Sequence, residues 1–145
     1  MNANERSPLN IMVVDDSAVV REVMTAVLSQ EPGFNVTVAA DPFIAMGKMK
    51  NQRPDVIILD LEMPNMNGYE LLGCIRGAPS LKHLPVIVLT AKEDRTSLER
   101  ALVSGATSYL VKPLNWTAFG AHITHLLQLA RSARRGAESP NVAVA

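Results

Sequence analysis

Six residues stand where chemistry can be done: Asp15, Asp16, Asp60, Glu62, Thr90 and Lys112. Asp15, Asp60, Thr90 and Lys112 each directly follow a short apolar run; Asp16 follows Asp15, and Glu62 stands two residues beyond Asp60. Taken singly, most have an ordinary reading. Asp15 and Asp16 can cap a helix, Thr90 can be a loop residue or a cap, and Lys112 can be a solvated surface lysine. Asp60 is harder to dismiss, because aspartate is depleted in strands. Taken together they read differently. Carboxylates packed side by side repel unless a cation joins them or a proton is taken up. Hard oxygen donors, with no cysteine or histidine in these loops, suit Mg²⁺ rather than zinc, with Mn²⁺ as a substitute. A Mg²⁺ held by few protein ligands keeps positions for water and for a phosphoryl oxygen. A nearby ammonium and hydroxyl can bind the remaining phosphoryl oxygens.

The elements that must position these residues are legible as period changes. Ile11 to Val14, Val56 to Leu59 and Val86 to Leu89 are continuous apolar runs, the pattern of parallel strands buried on both faces. From Phe34 to Val38 apolar residues alternate with Asn35 and Thr37, which predicts a strand with one wetter face, at an edge. Ser108 to Val111 is a last short strand. Between them lie helical patterns. Val20, Val23, Val27 and Leu28 follow a cap at Asp16-Ser17, and Asp41-Pro42 is an N-cap with proline in first position. Gly68 to Arg76 forms a short helix, Leu98, Ala101 and Leu102 mark a fourth that ends near Gly105, and Phe119, Ile123, Leu126, Leu127 and Ala130 mark the last, capped by Asn115.

The order is β-α repeated five times. Right-handed crossovers make this an α/β, flavodoxin-like, doubly wound (βα)5 fold with a five-stranded parallel sheet in the order 2-1-3-4-5. Ligands of such sheets bind beyond the carboxyl ends of the strands at the switch point. There Asp15, Asp16 and Asp60 meet, with Thr90 and Lys112 arriving from the other side. The folded domain is expected over residues 9–133, with flexible tails at 1–8 and 134–145.

The 145 residues suit one domain, and a 48% hydrophobic content suits a packed core. Lys plus Arg and Asp plus Glu each count 14, giving no net charge, so no nucleic-acid partner is indicated; Arg131, Arg134 and Arg135 read as a solvated helix end. The single cysteine, Cys74, allows no internal disulfide and fits a reducing compartment. Met1 to Asn10 carries no apolar signal core, and no run approaches a membrane span. A cytoplasmic protein without membrane attachment is expected. His83, His122 and His125 lack metal spacing and read as surface residues. Met46, Met49, Met63 and Met66 read as packing, and Trp116 as core or partner surface.

The chain resembles the receiver domains of bacterial two-component signalling, the chemotaxis-regulator-like family. The matching segments are Val13-Val14-Asp15-Asp16-Ser17, Leu59-Asp60-Leu61-Glu62-Met63-Pro64-Asn65-Met66-Asn67-Gly68, Leu89-Thr90-Ala91, Gly105-Ala106 and Tyr109-Leu110-Val111-Lys112-Pro113. The likeness runs from about Leu9 to Arg131. It implies that Asp60 is the phosphoryl acceptor, Asp16 a direct Mg²⁺ ligand and Asp15 an acidic partner acting directly or through water. Glu62 matches the position that lends its backbone carbonyl to the metal. Thr90 matches the switch hydroxyl, Tyr109 the switch aromatic and Lys112 the phosphate-binding lysine, followed by a cis bond to Pro113. Glu62 and Lys92, two residues beyond Asp60 and Thr90, are expected to pair by charge and to set the phosphoryl lifetime. The first half is similar to the receivers of chemotaxis methylesterases, the second to receivers fused to other outputs.

The resemblance implies a switch rather than an enzyme with an external substrate. The donor is a sensor histidine kinase or a histidine phosphotransfer protein. The output is a downstream protein target bound through the face of the fourth helix, last strand and last helix. With no output domain after the last helix, a stand-alone regulator is expected, as a monomer or a weak phosphorylation-dependent dimer. The rival enzyme is a haloacid-dehalogenase-like phosphatase with Asp60 as nucleophile, but it needs a second aspartate where Glu62 stands and a late acidic pair where this chain has an early one. A flavodoxin-like binder needs a hydroxyl-rich phosphate loop where Asp15-Asp16 stand, and a P-loop enzyme needs a motif that is absent.

Overall fold

Apolar strands with no polar interruption cannot face water on either side, and the chain resolves this by covering one sheet twice. The computed structural model describes residues 9–63, 66–91 and 93–138. In chain order the elements are β1 (Leu9–Val14), α1 (Ala18–Ser29), β2 (Phe34–Ala39), α2 (Pro42–Asn51), β3 (Val56–Asp60), β4 (Glu62–Met63), β5 (Met66–Asn67), α3 (Gly68–Gly77), β6 (Val86–Thr90), α4 (Arg95–Val103), β7 (Ser108–Val111) and α5 (Trp116–Glu138). The main sheet has the parallel order β2-β1-β3-β6-β7. Counted by its own five strands that is 2-1-3-4-5, as the sequence predicts, with the alternating β2 at an edge. The remaining two strands, β4 and β5, form a small antiparallel hairpin after Asp60 that the sequence reading did not anticipate.

Strand parity assigns each side chain to a layer. Met12, Val14, Ile57, Leu59, Val86 and Val88 face a core closed by Ala45 and Met49 of α2, Leu71, Leu72 and Ile75 of α3 and Ala101 of α4. Their neighbours Ile11, Val13, Val56, Ile58, Ile87 and Leu89 face a second core closed by Met24 and Leu28 of α1 and Phe119, Ile123 and Leu127 of α5. Each fully buried aliphatic side chain contributes roughly 1.5 to 3 kcal/mol. Trp116 packs against the second core with its ring edge-on to Phe119, the centroids 5.4 Å apart. Met46, Met49 and Met63 pack in the first core, and His83, His122 and His125 are exposed.

The helices begin where side-chain oxygens satisfy their first amides. Ser17 Oγ accepts from Val20 at 3.2 Å, Asp41 Oδ1 from Ile44 at 2.8 Å and Asn115 Oδ1 from Thr117 at 3.1 Å. Asp94, not foreseen as a cap, accepts from the Ser97 amide at 2.9 Å. Gly105 leaves α4 with φ +115, a conformation other residues adopt only under strain. The half-buried Arg76 guanidinium then fixes that loop, donating to the carbonyls of Gly105 at 2.8 Å and Leu84 at 2.7 Å.

On α1 the face marked by Val20, Val27 and Leu28 packs on the second core, and Met24, which stands on the same face, is fully buried beside Leu28. Two expectations need correction. On α4 only Ala101 is buried, and Leu102 turns outward because this short helix touches the sheet along a single line. The last helix continues through Glu138, past the boundary expected at 133. Arg131, Arg134 and Arg135 lie within that helix, whose uninterrupted Ala-, Arg- and Leu-rich sequence favours extension. Of the tails expected at 1–8 and 134–145, residues 1–8 and 139–145 lie outside the described residues.

Candidate functional site

Parallel strands all deliver their carboxyl ends to one rim, and the candidate residues are gathered there. Asp15 leaves β1, its amide tied to the Ala39 carbonyl of β2 at 3.1 Å. Asp60 is the last residue of β3 and pairs with Leu89 of β6. Thr90 ends β6, and the Lys112 amide donates to the Thr90 carbonyl at 2.8 Å, which carries β7's lysine to the same rim. The Lys112–Pro113 bond is cis.

Carboxylate oxygens of Asp15, Asp16 and Asp60 all lie within 4.8 Å of one another. Asp15 and Asp60 are buried and Asp16 is exposed, so the cluster opens to solvent on one side. Asp15 Oδ1 accepts the Ser17 amide at 2.9 Å, while its buried Oδ2 has no partner. Burial drives the Asp15 carboxyl up to about 6, aided by the charges of Asp60 and Asp16 and opposed by the Ser17 hydrogen bond and by Lys112. A buried carboxylate with an unpartnered oxygen, clustered with two further carboxylates, is the donor set of a hard divalent cation, so these residues fit Mg²⁺.

Asp60 Oδ1 accepts from Lys112 Nζ at 3.0 Å and from the Glu62 amide at 2.9 Å. Lys112 thus brings a positive charge directly beside the Asp60 member of the acidic cluster. Glu62 extends its exposed side chain in another direction: Oε1 accepts from the Thr90 hydroxyl at 3.0 Å and from the Ala91 amide at 2.8 Å. Tyr109 is half-buried against the first core. It sits opposite Val88, and Thr90 opposite Val111, so Thr90 and Tyr109 share a face diagonally instead of forming a direct cross-strand pair. Lys92 lies outside the described residues, so its expected pairing with Glu62 does too.

Three participants escaped the sequence reading. Arg21 Nη1 donates to the Asp15 carbonyl at 2.7 Å and fixes the acidic loop from α1. The Ala91 amide shares an acceptor with Thr90. A Cβ at Gly68 would stand 2.9 Å from the Asp60 carbonyl oxygen, so α3 begins hard against the end of β3. Backbone donors and close approaches leave no mark in residue type, except that Gly68 is a glycine at a helix start.

The response regulator receiver domain profile matches residues 11–124. Among curated proteins, the chain is 47% identical over 106 residues to a protein-glutamate methylesterase/protein-glutamine glutaminase 2 of Xanthomonas campestris pv. campestris, covering 70% of this chain and 29% of that protein. It is 44% identical over 133 residues to a protein-glutamate methylesterase/protein-glutamine glutaminase 1 of Chromobacterium violaceum, covering 88% of this chain and 36% of that protein. The chain therefore spans about a third of the length of these relatives. Among solved structures, chemotaxis protein CheY4 of Vibrio cholerae superposes with a TM-score of 0.76 at 31% identity, covering 83% of this chain and 99% of that one.

Proposed function

The chain belongs to the response regulator receiver domain family, and we propose that it accepts a phosphoryl group on Asp60 and thereby switches its affinity for a protein partner. Receiver domains are signalling switches that act by phosphoryl acceptance and bind Mg²⁺ at an acidic cluster. The observation that carries the assignment to Asp60 is its place: a buried carboxylate at the end of a central strand, with Lys112 Nζ 3.0 Å from Oδ1 and the Asp15-Asp16 pair beside it.

The donor is a phosphohistidine of a sensor histidine kinase or a histidine phosphotransfer protein. An Asp60 carboxylate oxygen attacks phosphorus, the P–N bond breaks, and the imidazole leaves with the bonding pair. Lys112 stabilises the charge that develops on the phosphoryl oxygens, and Thr90 offers a further hydrogen bond. Asp15, Asp16, Asp60 and the Glu62 backbone carbonyl would hold Mg²⁺, which when bound offsets the charge of carboxylate and phosphoryl together. Hydrolysis of the acyl phosphate resets the switch, at a rate that Glu62 and Lys92, bordering the site in sequence, would modulate.

The output surface is formed by α4, β7 and α5, with Thr90 and Tyr109 as the groups that respond. The protein acts on no external substrate in this reading; the methylesterase and glutaminase names belong to much longer relatives. A phosphatase would need a general acid where Glu62 stands, yet that carboxylate is held by Thr90 and Ala91. A cytoplasmic site of action, with a monomer or weak phosphorylation-dependent dimer, completes the proposal. No helix among the described residues is long and apolar enough to cross a membrane.

The test is chemical. Acetyl phosphate or phosphoramidate with Mg²⁺ should add one base-labile phosphoryl group, read by intact mass. Asp60→Asn or EDTA should abolish the addition, and normal labelling of Asp60→Asn would refute the assignment.

A further inference from the structure

Glu62 is placed twice in the site, and the two placements pull in different directions. Its backbone N–H supports Asp60 Oδ1 at 2.9 Å. Its side chain spans to the end of β6, where one oxygen, Oε1, takes both the Thr90 hydroxyl at 3.0 Å and the Ala91 N–H at 2.8 Å. A hydroxyl and a backbone amide converging on one anionic oxygen make an anion-binding pair, of the sort that stabilises oxyanions. Those donors stand at the rim of β6, the strand that pairs with β3 through Asp60 and Leu89. Glu62 is exposed, so burial does not force its carboxylate there, and among the described residues the Thr90 hydroxyl and the Ala91 amide hold it.

We infer that the Glu62 carboxylate is a built-in occupant of the phosphoryl-oxygen site, and that phosphorylation of Asp60 must displace it from Thr90 and Ala91 before the switch can throw. This rests on the receiver reading above and deepens it. The carboxylate acts as an internal competitor: it satisfies Thr90 and Ala91 while the site is empty and so raises the threshold for activation. A phosphoryl group on Asp60 offers more charge and more acceptor oxygens, and the displaced glutamate regains full hydration because it already borders solvent. Glu62 is therefore a positioning residue whose side chain biases the resting state, separate from its backbone role beside Asp60.

Length discriminates this latch from a plain charge effect. Glu62→Asp keeps the charge but withdraws the carboxylate by about 1.5 Å, too far for either hydrogen bond. Beryllofluoride with Mg²⁺, a phosphoryl mimic, should be titrated into wild type and Glu62→Asp while amide resonances are followed. The latch predicts that Glu62→Asp binds beryllofluoride about three- to tenfold more tightly. It also predicts that the Ala91 amide proton moves upfield in the ligand-free variant, because a charge-assisted bond has been lost. Equal affinity, or an unmoved Ala91 amide, overturns the latch while leaving the receiver reading intact. Failure of wild type itself to bind beryllofluoride overturns both.

Discussion

Lys112 holds its ammonium 3.0 Å from Oδ1 of Asp60, a carboxylate only 4% exposed, from a side chain that is itself 29% exposed. The pair joins the ends of β3 and β7, strands with β6 between them. Because the lysine is partly solvated, its value lies less in stability than in placing a positive charge where negative charge develops. Lys112→Met should therefore separate two properties. Mg²⁺ should bind at least as tightly as to wild type, since a competing cation has left an acidic cluster. The rate of phosphoryl uptake from phosphoramidate should fall about 100-fold. Amide-shift titration reads the first and intact mass against time the second. A parallel collapse of both would mean that Lys112 organises the site instead.

The raised Asp15 carboxyl gives a signed pH dependence for the metal-free protein. Its folded value is about 6 against an ordinary 3.8, chiefly through burial, so the native state binds this proton more tightly than the unfolded chain does. The group therefore costs nothing below its unfolded value and increasingly destabilises the fold as pH rises from about 4 to about 6. Asp15→Asn, which keeps an oxygen for the Ser17 amide, should match wild type near pH 4 in EDTA. By about pH 7.5 it should be more stable by on the order of 2 kcal/mol. Saturating Mg²⁺ should reverse the order, because only wild type gains the ligand. Urea denaturation at several pH values, with and without Mg²⁺, checks both signs.

The strands and the rim were the legible part, and the reason is physical. Val56 to Leu59 and Val86 to Leu89 can be covered only by burial on two faces, which already implies a parallel sheet and a shared carboxyl rim. Once the order is 2-1-3-4-5, Asp15, Asp60, Thr90 and Lys112 have one place to meet. What stayed hidden was set by geometry below the level of residue type. The outward turn of Leu102 depends on how little of α4 reaches the sheet. The Glu62 carboxylate bonds a hydroxyl and an amide at the end of β6, and the amide is invisible in any side-chain pattern. Met24 is fully buried, but its residue type does not announce depth.

Gly68 tests how tightly the acceptor strand is packed from below. A Cβ there would sit 2.9 Å from both the Asp60 carbonyl oxygen and the Leu61 Cα, backbone atoms that have no rotamer to yield. Gly68→Ala should cost about 1 to 3 kcal/mol by overpacking. Since the displaced atoms belong to Asp60 and its neighbour, phosphoryl uptake should slow as well, even at temperatures where the variant is fully folded. Denaturant melts combined with labelling rates would show this. Unchanged stability would mean that α3 slides away without strain and that this contact does not position the acceptor.

Two routes lead from Asp60 to α4, and one variant pair can tell them apart. The first runs through Thr90, which a phosphoryl oxygen would draw inward, freeing space on its own face for the half-buried Tyr109 ring and repacking the loop into α4. The second runs along the backbone: Gly68, the first residue of α3, abuts the Asp60 carbonyl, Tyr69 follows it in α3, and the Arg100 guanidinium of α4 lies 3.9 Å above the Tyr69 ring. α4 is suited to move, since Ala101 is its only buried residue and Val103 is 88% exposed. Beryllofluoride should shift amides along Arg95 to Val103, through β7 and at Lys112, beyond those touching Asp60. Thr90→Ala should remove most of the change in α4 and β7 while leaving the acidic-loop changes in place. Tyr69→Leu should cost about 0.5 to 1 kcal/mol, the worth of an exposed cation–π contact, and leave the α4 response largely intact. If instead the response survives Thr90→Ala and vanishes in Tyr69→Leu, the signal travels by the Tyr69–Arg100 stack, and Thr90 serves only to hold the phosphoryl group.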